Sequence, residues 1–189
     1  MLSAQDPLPI RPRRILVAGV SGVGKSTLAG QIATITGSSH TEIDGLFHGP
    51  NWEPRATFVQ DVETFTAADA WTTEWQYGSA RALLAGRADL LVWLDLPFAV
   101  TLSRVVRRTL RRRLRHEVLW NGNVEPALGT FFTDREHIVR WAVSTRNSYR
   151  ERIPQLERDN PHLVIVRLNS RRSVKRWLAG PLATAAITD

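Results

Sequence analysis

Residues Gly19 to Ser26 read G-V-S-G-V-G-K-S, an unbroken G-x-x-x-x-G-K-[ST] pattern. The run before it, Ile15-Leu16-Val17-Ala18, suits a buried strand, and Thr27 to Ala33 continues with apolar residues at helical spacing. Strand, glycine loop and helix form the setting in which this pattern binds phosphate: successive backbone N–H groups converge on anionic oxygens, with the positive end of the helix behind them. The nucleotide contacts expected are Gly19, Ser21, Gly22, Val23, Gly24, Lys25, Ser26 and Thr27. Lys25 is placed to reach the β and γ phosphates of ATP, and the Ser26 hydroxyl to join the shell of Mg²⁺.

A chain of 189 residues with no cysteine is sized for one domain that folds without disulfides, and it has no thiolate metal site or cysteine nucleophile. Residues 1–13, broken by Pro7, Pro9 and Pro12, read as a mobile tail without a signal-peptide core. The longest apolar stretch, Leu90 to Val100, is interrupted by Asp95 and Pro97, far short of a membrane span of about 20 residues. The expectation is a cytoplasmic protein, monomer or homodimer. The formal net charge is +7, carried almost wholly by arginine, since Lys25 and Lys175 are the only lysines. Such a balance favours anionic ligands, nucleotide or nucleic acid alike.

Along the chain, Gly37 stops the first helix, and Ser38 to Asp44 read as a second strand ending in an acid. A turn-rich stretch with aromatics, 45–55, precedes a helix over 57–68. Strands follow at 70–74 and 89–95, a helix between them at 79–85, and an arginine-rich helix from Phe98 to Arg115. A turn at Asn121-Gly122-Asn123, a helix over 130–153, a strand over 162–168 and a helix over 172–178 complete the chain. About five strands alternating with helices predict a parallel α/β sheet.

Asp44, Glu74 and Asp95 each close an expected strand on the side of the glycine loop, where α/β proteins bind ligands. Any of them suits a metal or a base. The arginines from Arg104 to Arg115 read either as a solvated face or as the entry to a lid over ATP, because arginine binds phosphate bidentately and stacks on adenine. Phe47, Trp52 and Arg55 are placed to clamp an acceptor, or to serve as core or hinge; His40 and His48 flank the insert without metal-ligand spacing. Nucleic acid remains an alternative partner, although aromatics do not interleave with the arginines as a base-stacking platform requires.

The glycine loop, Ile43-Asp44 with Leu46, His48 and Trp52, Leu94-Asp95-Leu96-Pro97, the arginine-rich helix and Leu119-Trp120-Asn121-Gly122-Asn123 together resemble P-loop kinases of the topology modulation protein, or adenylate kinase-related, group. The resemblance covers nearly the whole chain after residue 13. Nucleoside monophosphate kinases are similar more distantly. That likeness implies a three-layer P-loop fold with a five-stranded parallel sheet in 2-3-1-4-5 order, an acceptor insert at about 45–69 and a lid at about 115–128, in a single domain over 14–189. It implies catalytic roles for Lys25, Asp44, Arg104, Arg108, Arg140 and Arg146, and nucleotide contacts from Asn169, Ser170, Arg171 and Arg172. The acceptor would lie against Asp44, Phe47, His48, Trp52, Arg55 and Glu74, with Ser26 and Asp44 on Mg²⁺, while Asp95 falls on a strand whose end is not catalytic. The chain has Thr72-Thr73-Glu74-Trp75-Gln76-Tyr77 where adenylate kinases carry Asp-Gly-x-Pro-Arg, which counts against AMP as the acceptor. The function expected is transfer of the ATP γ-phosphoryl to a small molecule; the alternative is a regulatory ATP- or nucleic acid-binding protein with weak ATPase activity.

Overall fold

A computed structural model describes residues 1–114, 119–123 and 147–187. Five strands, β1 (Arg14–Ala18), β2 (Ser39–His40), β3 (Trp71–Glu74), β4 (Leu90–Leu94) and β5 (Val164–Leu168), pair in parallel in the order β2-β3-β1-β4-β5. This is the 2-3-1-4-5 sheet expected. β1 and β4 are largely apolar because both of their faces are covered. Leu16, Ala18, Leu91, Trp93 and Ile165 point into one core with α2 (Ile43–Phe47), α3 (Phe58–Phe65), α4 (Gly78–Arg87) and α6 (Ser148–Asp159). Ile15, Val17, Leu90, Val92, Val166 and Leu168 point into the other, with α1 (Lys25–Thr36) and α7 (Arg171–Trp177). The period-2 alternation of one strand thus serves two helical layers.

Boundaries follow local chemistry. Gly37 ends α1 with φ 71°, a left-handed stop that glycine adopts without a Cβ clash. Ser170 caps α7: its hydroxyl accepts from the Ser173 amide at 3.0 Å, and the Ser173 hydroxyl accepts from the Ser170 amide at 3.0 Å. The arginine-rich α5 spans Phe98–Leu114. A π-turn at Leu178–Leu182 and the short α8 (Ala183–Ile187) follow α7.

Two readings are corrected. The second strand stops at His40, so Asp44 sits in α2 and not at a strand end. Pairing with β3 ceases because the Glu74 carboxylate takes the Ile43 amide at 3.1 Å and turns the chain into a helix. Residues 1–13, expected as a tail, lie against the sheet: the Leu2 amide donates to the Ile165 carbonyl at 2.7 Å, the Arg167 amide donates to the Leu2 carbonyl at 2.9 Å, and Ala4 is buried. The expected helix over 130–153 lies outside the described residues until 147, after which α6 runs on to Asp159. Among the described residues, no helix is long and apolar enough to cross a membrane.

Candidate active site

The glycine loop joins the carboxyl end of β1 to α1, and its shape requires glycine. Gly22 has φ +75°, and a Cβ there would run into Val105 of α5. At Gly19, φ +150°, a Cβ would lie 2.8 Å from Val23 Cγ1 and 2.9 Å from the Leu94 carbonyl oxygen. Ser21, Val23 and Gly24 complete the curl, with the Val23 amide donating to the Val20 carbonyl at 3.3 Å; Thr27 is exposed on the first turn of α1. Lys25 Nζ lies 3.5 Å from the Val20 carbonyl, folded back over the loop. Burial holds its ammonium below the usual lysine range, Asp44 and Glu74 pull it back up, and Arg108 pushes it down. One lysine, two carboxylates and one arginine therefore share a single electrostatic centre.

Glu74 is 2% exposed. Burial pushes its carboxyl up, but hydrogen bonds from His40, Ser26 and the Ile43 amide outweigh that and hold it below the usual carboxylate range. Asp44 has a different set of partners. Its Oδ1 accepts from the Tyr77 hydroxyl at 2.6 Å and from Gln76 Nε2. Burial and then the Asp44 charge raise the Tyr77 phenol far above its ordinary range, so Tyr77 remains a donor; His48 Nε2 stands 3.0 Å away on its other side. Tyr77 has φ 61° and ψ 115°, a conformation rare for a residue with a side chain, and it immediately precedes α4.

The insert supplies an aromatic wall. Phe47 stacks on Tyr77 at 3.8 Å and 13°, and His48 and Trp52 meet edge to face at 5.1 Å. Arg55 is drawn to α3, its guanidinium 3.1 Å from Asp61. Across the wall lies the described part of the expected lid. Trp120 Nε1 donates to Glu42 Oε2 at 2.7 Å, Asn121 donates to the His48 carbonyl, and Asn123 donates to the Gly49 carbonyl at 2.8 Å while accepting the Trp52 amide at 3.0 Å.

On the α5 side of the glycine loop, Arg104 donates to the Val23 carbonyl at 2.8 Å. Its guanidinium is held below its ordinary range by burial and by the charge of Arg171, the first residue of α7. The charge of Arg108 acts on Lys25 and lowers its ammonium's pKa. Arg140 and Arg146 lie outside the described residues. Asp95 is committed elsewhere: it accepts from Arg150 Nε at 3.2 Å and Arg167 Nε at 3.0 Å, as a structural ion pair.

Sequence reasoning did not single out Gln76 and Tyr77, the residues that hold Asp44. Their only signal was position, directly between the β3 acid and a glycine. As for Mg²⁺, no group of three His, Cys, Asp or Glu side chains among the described residues forms a protein cage for a metal. The Ser26 hydroxyl beside the Glu74 carboxylate, with Asp44 acting on the neighbouring Lys25, is a sparse oxygen set, which fits an ion that keeps waters and substrate phosphate in its shell.

No protein-family model matches the chain, and no curated protein sequence matches it. Solved structures do. A gluconokinase from Sinorhizobium meliloti 1021 is similar with 21% identity and a TM-score of 0.54, over 94% of this chain and 95% of that one. A shikimate kinase from Bacteroides thetaiotaomicron is 13% identical with a TM-score of 0.50, over 89% of this chain and 95% of that one. A shikimate kinase from Acinetobacter baumannii in complex with shikimate is 15% identical with a TM-score of 0.50, over 92% and 88%. The shared feature is the fold: a three-layer α/β arrangement found in P-loop kinases.

Proposed function

We propose that this chain is an ATP-dependent phosphotransferase that moves the γ-phosphoryl of Mg-ATP to a hydroxyl of a small acceptor. The observation that carries this reading is the convergence of the glycine-loop Lys25 with Asp44 and Glu74 at the carboxyl edge of the sheet. A loop that merely held nucleotide has no use for a carboxylate buttressed by Gln76 and Tyr77 beside an aromatic wall. In the transfer, the acceptor oxygen bonds to the γ-phosphorus as the bond to the β–γ bridging oxygen breaks. The hydroxyl proton passes to Asp44, and ADP leaves. Lys25, Arg108 and Arg104 supply positive charge along the phosphates. Ser26 and Glu74 or Asp44 would hold Mg²⁺, which neutralises phosphate charge when bound. Within P-loop kinases, the sequence resemblance favours the adenylate kinase-related topology modulation group. The fold neighbours named for gluconate and shikimate favour a hydroxyl-bearing acceptor over AMP.

The test is ADP release from Mg-ATP across a panel of nucleoside monophosphates, nucleosides, sugars and small acids. The expected result is ADP formed only with particular acceptors, and lost in Lys25→Ala. ADP formed equally without any acceptor would replace the kinase with an ATPase.

A further inference from the structure

His48 closes α2 one turn after Asp44, and its amide donates to the Asp44 carbonyl at 3.0 Å, so the two side chains leave the same face of the helix. Tyr77 meets them from the turn between β3 and α4. Its hydroxyl oxygen lies 2.6 Å from Asp44 Oδ1 and 3.0 Å from His48 Nε2. A phenol has one proton to give, and a carboxylate has none. The proton between Tyr77 and Asp44 is therefore the phenol's own, and the Tyr77 oxygen accepts from its other neighbour. That bond requires the tautomer of His48 with its proton on Nε2.

Packing fixes both rings of this chain. The imidazole stands edge to face with Phe47 at 5.0 Å and with Trp52 at 5.1 Å, and its Nδ1 is enclosed, with no hydrogen-bond partner among the described residues. One ring nitrogen is thus spent on Tyr77 and the other is closed to a substrate, although the sequence placed His48 among the acceptor contacts. Tyr77 is held as firmly. Phe47 lies nearly flat on its ring, and its backbone at φ 61° is a conformation that a tyrosine keeps only where its surroundings impose it. Gln76 Nε2 donates to the same Asp44 oxygen, so two donors converge on Oδ1.

We propose that His48 is a positioning residue of the transfer: by giving its Nε2 proton to the Tyr77 oxygen it commits the phenol proton to Asp44 Oδ1, and with Gln76 on the same oxygen the carboxylate presents Oδ2 to the acceptor hydroxyl. The role rests on the phosphotransferase reading; the hydrogen-bond chain beneath it does not. Long-range proton–nitrogen correlation spectra of the full chain, labelled with ¹⁵N at histidine and recorded without ligand at mildly alkaline pH, read each ring nitrogen directly. The His48 pair is identified by its loss in His48→Gln. The expected result is a proton on Nε2, with its resonance displaced in Tyr77→Phe, a variant that keeps the ring on Phe47 and removes only the hydroxyl. A bare Nε2, alone or as one of two exchanging forms, or an Nε2 proton unmoved in Tyr77→Phe, overturns the chain.

With any acceptor that supports ADP release, His48→Phe keeps an aromatic ring between Phe47 and Trp52 but has no proton to give, and should lower kcat about 3- to 10-fold, the worth of one hydrogen bond, with KM for ATP unchanged. His48→Gln, whose amide can donate, should regain part of the loss. In a Tyr77→Phe background the effect of His48→Phe should vanish, because the chain is already cut. An equal loss in both backgrounds, or an unchanged kcat in His48→Phe, overturns the role and leaves the kinase standing. The expected tautomer in a protein that forms no ADP with any acceptor removes the kinase and the role built on it, and keeps only the chain.

Discussion

The Asn123 carboxamide clasps Trp52 across 71 residues of sequence: its Oδ1 accepts the Trp52 amide at 3.0 Å, while its Nδ2 donates to the Gly49 carbonyl at 2.8 Å. Asn123 is 4% exposed; its bond to the Gly49 carbonyl is buried and the bond from the Trp52 amide is part-buried. They tie residues 119–123 to the segment that carries Phe47, His48 and Trp52. Replacing Asn123 with Ala removes both bonds, at about 1–3 kcal/mol. If local opening sets exchange, the Trp52 amide should exchange roughly 5- to 150-fold faster in hydrogen–deuterium exchange, with the Val17 amide in the central strand unmoved. Equal protection of Trp52 in both proteins would show that the clasp does not hold the insert.

Gly22 and Val105 set a steric limit on the glycine loop. Gly22→Ala adds a Cβ that meets Val105, in a backbone conformation with φ +75°. The expected outcome is a loss of about 1–3 kcal/mol in stability, with ATP affinity reduced because the loop amides lose their aim. In the Gly22→Ala/Val105→Ala double variant the clash is gone but the backbone strain persists. Its thermal unfolding should show a stability cost smaller than the sum of the two single variants, while ATP titration by calorimetry should remain weakened. Additive costs would mean that the two residues do not meet.

Asp44 and Glu74 both face Lys25, yet their partners differ, and so should their variants. Asp44→Asn keeps the size of the side chain and an acceptor for the Tyr77 hydroxyl, but removes the carboxylate proposed as the base. Steady-state turnover should fall about 100- to 10,000-fold with KM for ATP little changed. Tyr77→Phe removes one bond to Asp44 and should cost about 10-fold. Unchanged turnover in Asp44→Asn would transfer the role of base to Glu74.

The parts of the molecule legible in sequence are those fixed by near neighbours. The glycine loop is eight consecutive residues, and its glycines, lysine and serine could be placed without knowing the rest of the chain. Strand β4 announced itself because burial on both faces leaves an unbroken apolar run. Asp44 was misplaced onto a strand because the event that ends β2, capture of the Ile43 amide by Glu74, spans 31 residues. Tyr77 and the Asn123 clasp depend on contacts 33 and 71 residues apart, and no periodicity carries such information. Proline in residues 1–13 argued for a free tail, yet it does not affect the Leu2 amide and carbonyl, which pair with β5.

His40 and Glu74 form an ion pair, Nε2 to Oε1 at 3.4 Å, that should give the fold a measurable pH dependence. The hydrogen bond to Glu74 raises the His40 imidazole above its ordinary value, and burial only partly opposes this. A base whose pKa rises on folding stabilises the fold fully below its unfolded value, about 6.5, and loses that contribution as pH climbs through the higher folded value. The acid behaves oppositely: the Glu74 carboxyl is lowered on folding, so its contribution is present above about 4.3 and lost as pH falls below that. Thermal unfolding of the wild type and His40→Gln between these limits and alkaline pH should therefore show the largest gap near about pH 5.5–6, narrowing as pH rises past neutrality. In a Glu74→Gln background the narrowing should disappear, because the neutral amide no longer favours the imidazolium. A gap that widens with pH, or the same narrowing without the Glu74 carboxylate, would show that the imidazole charge is not what joins β2 to β3 at the rim of the site.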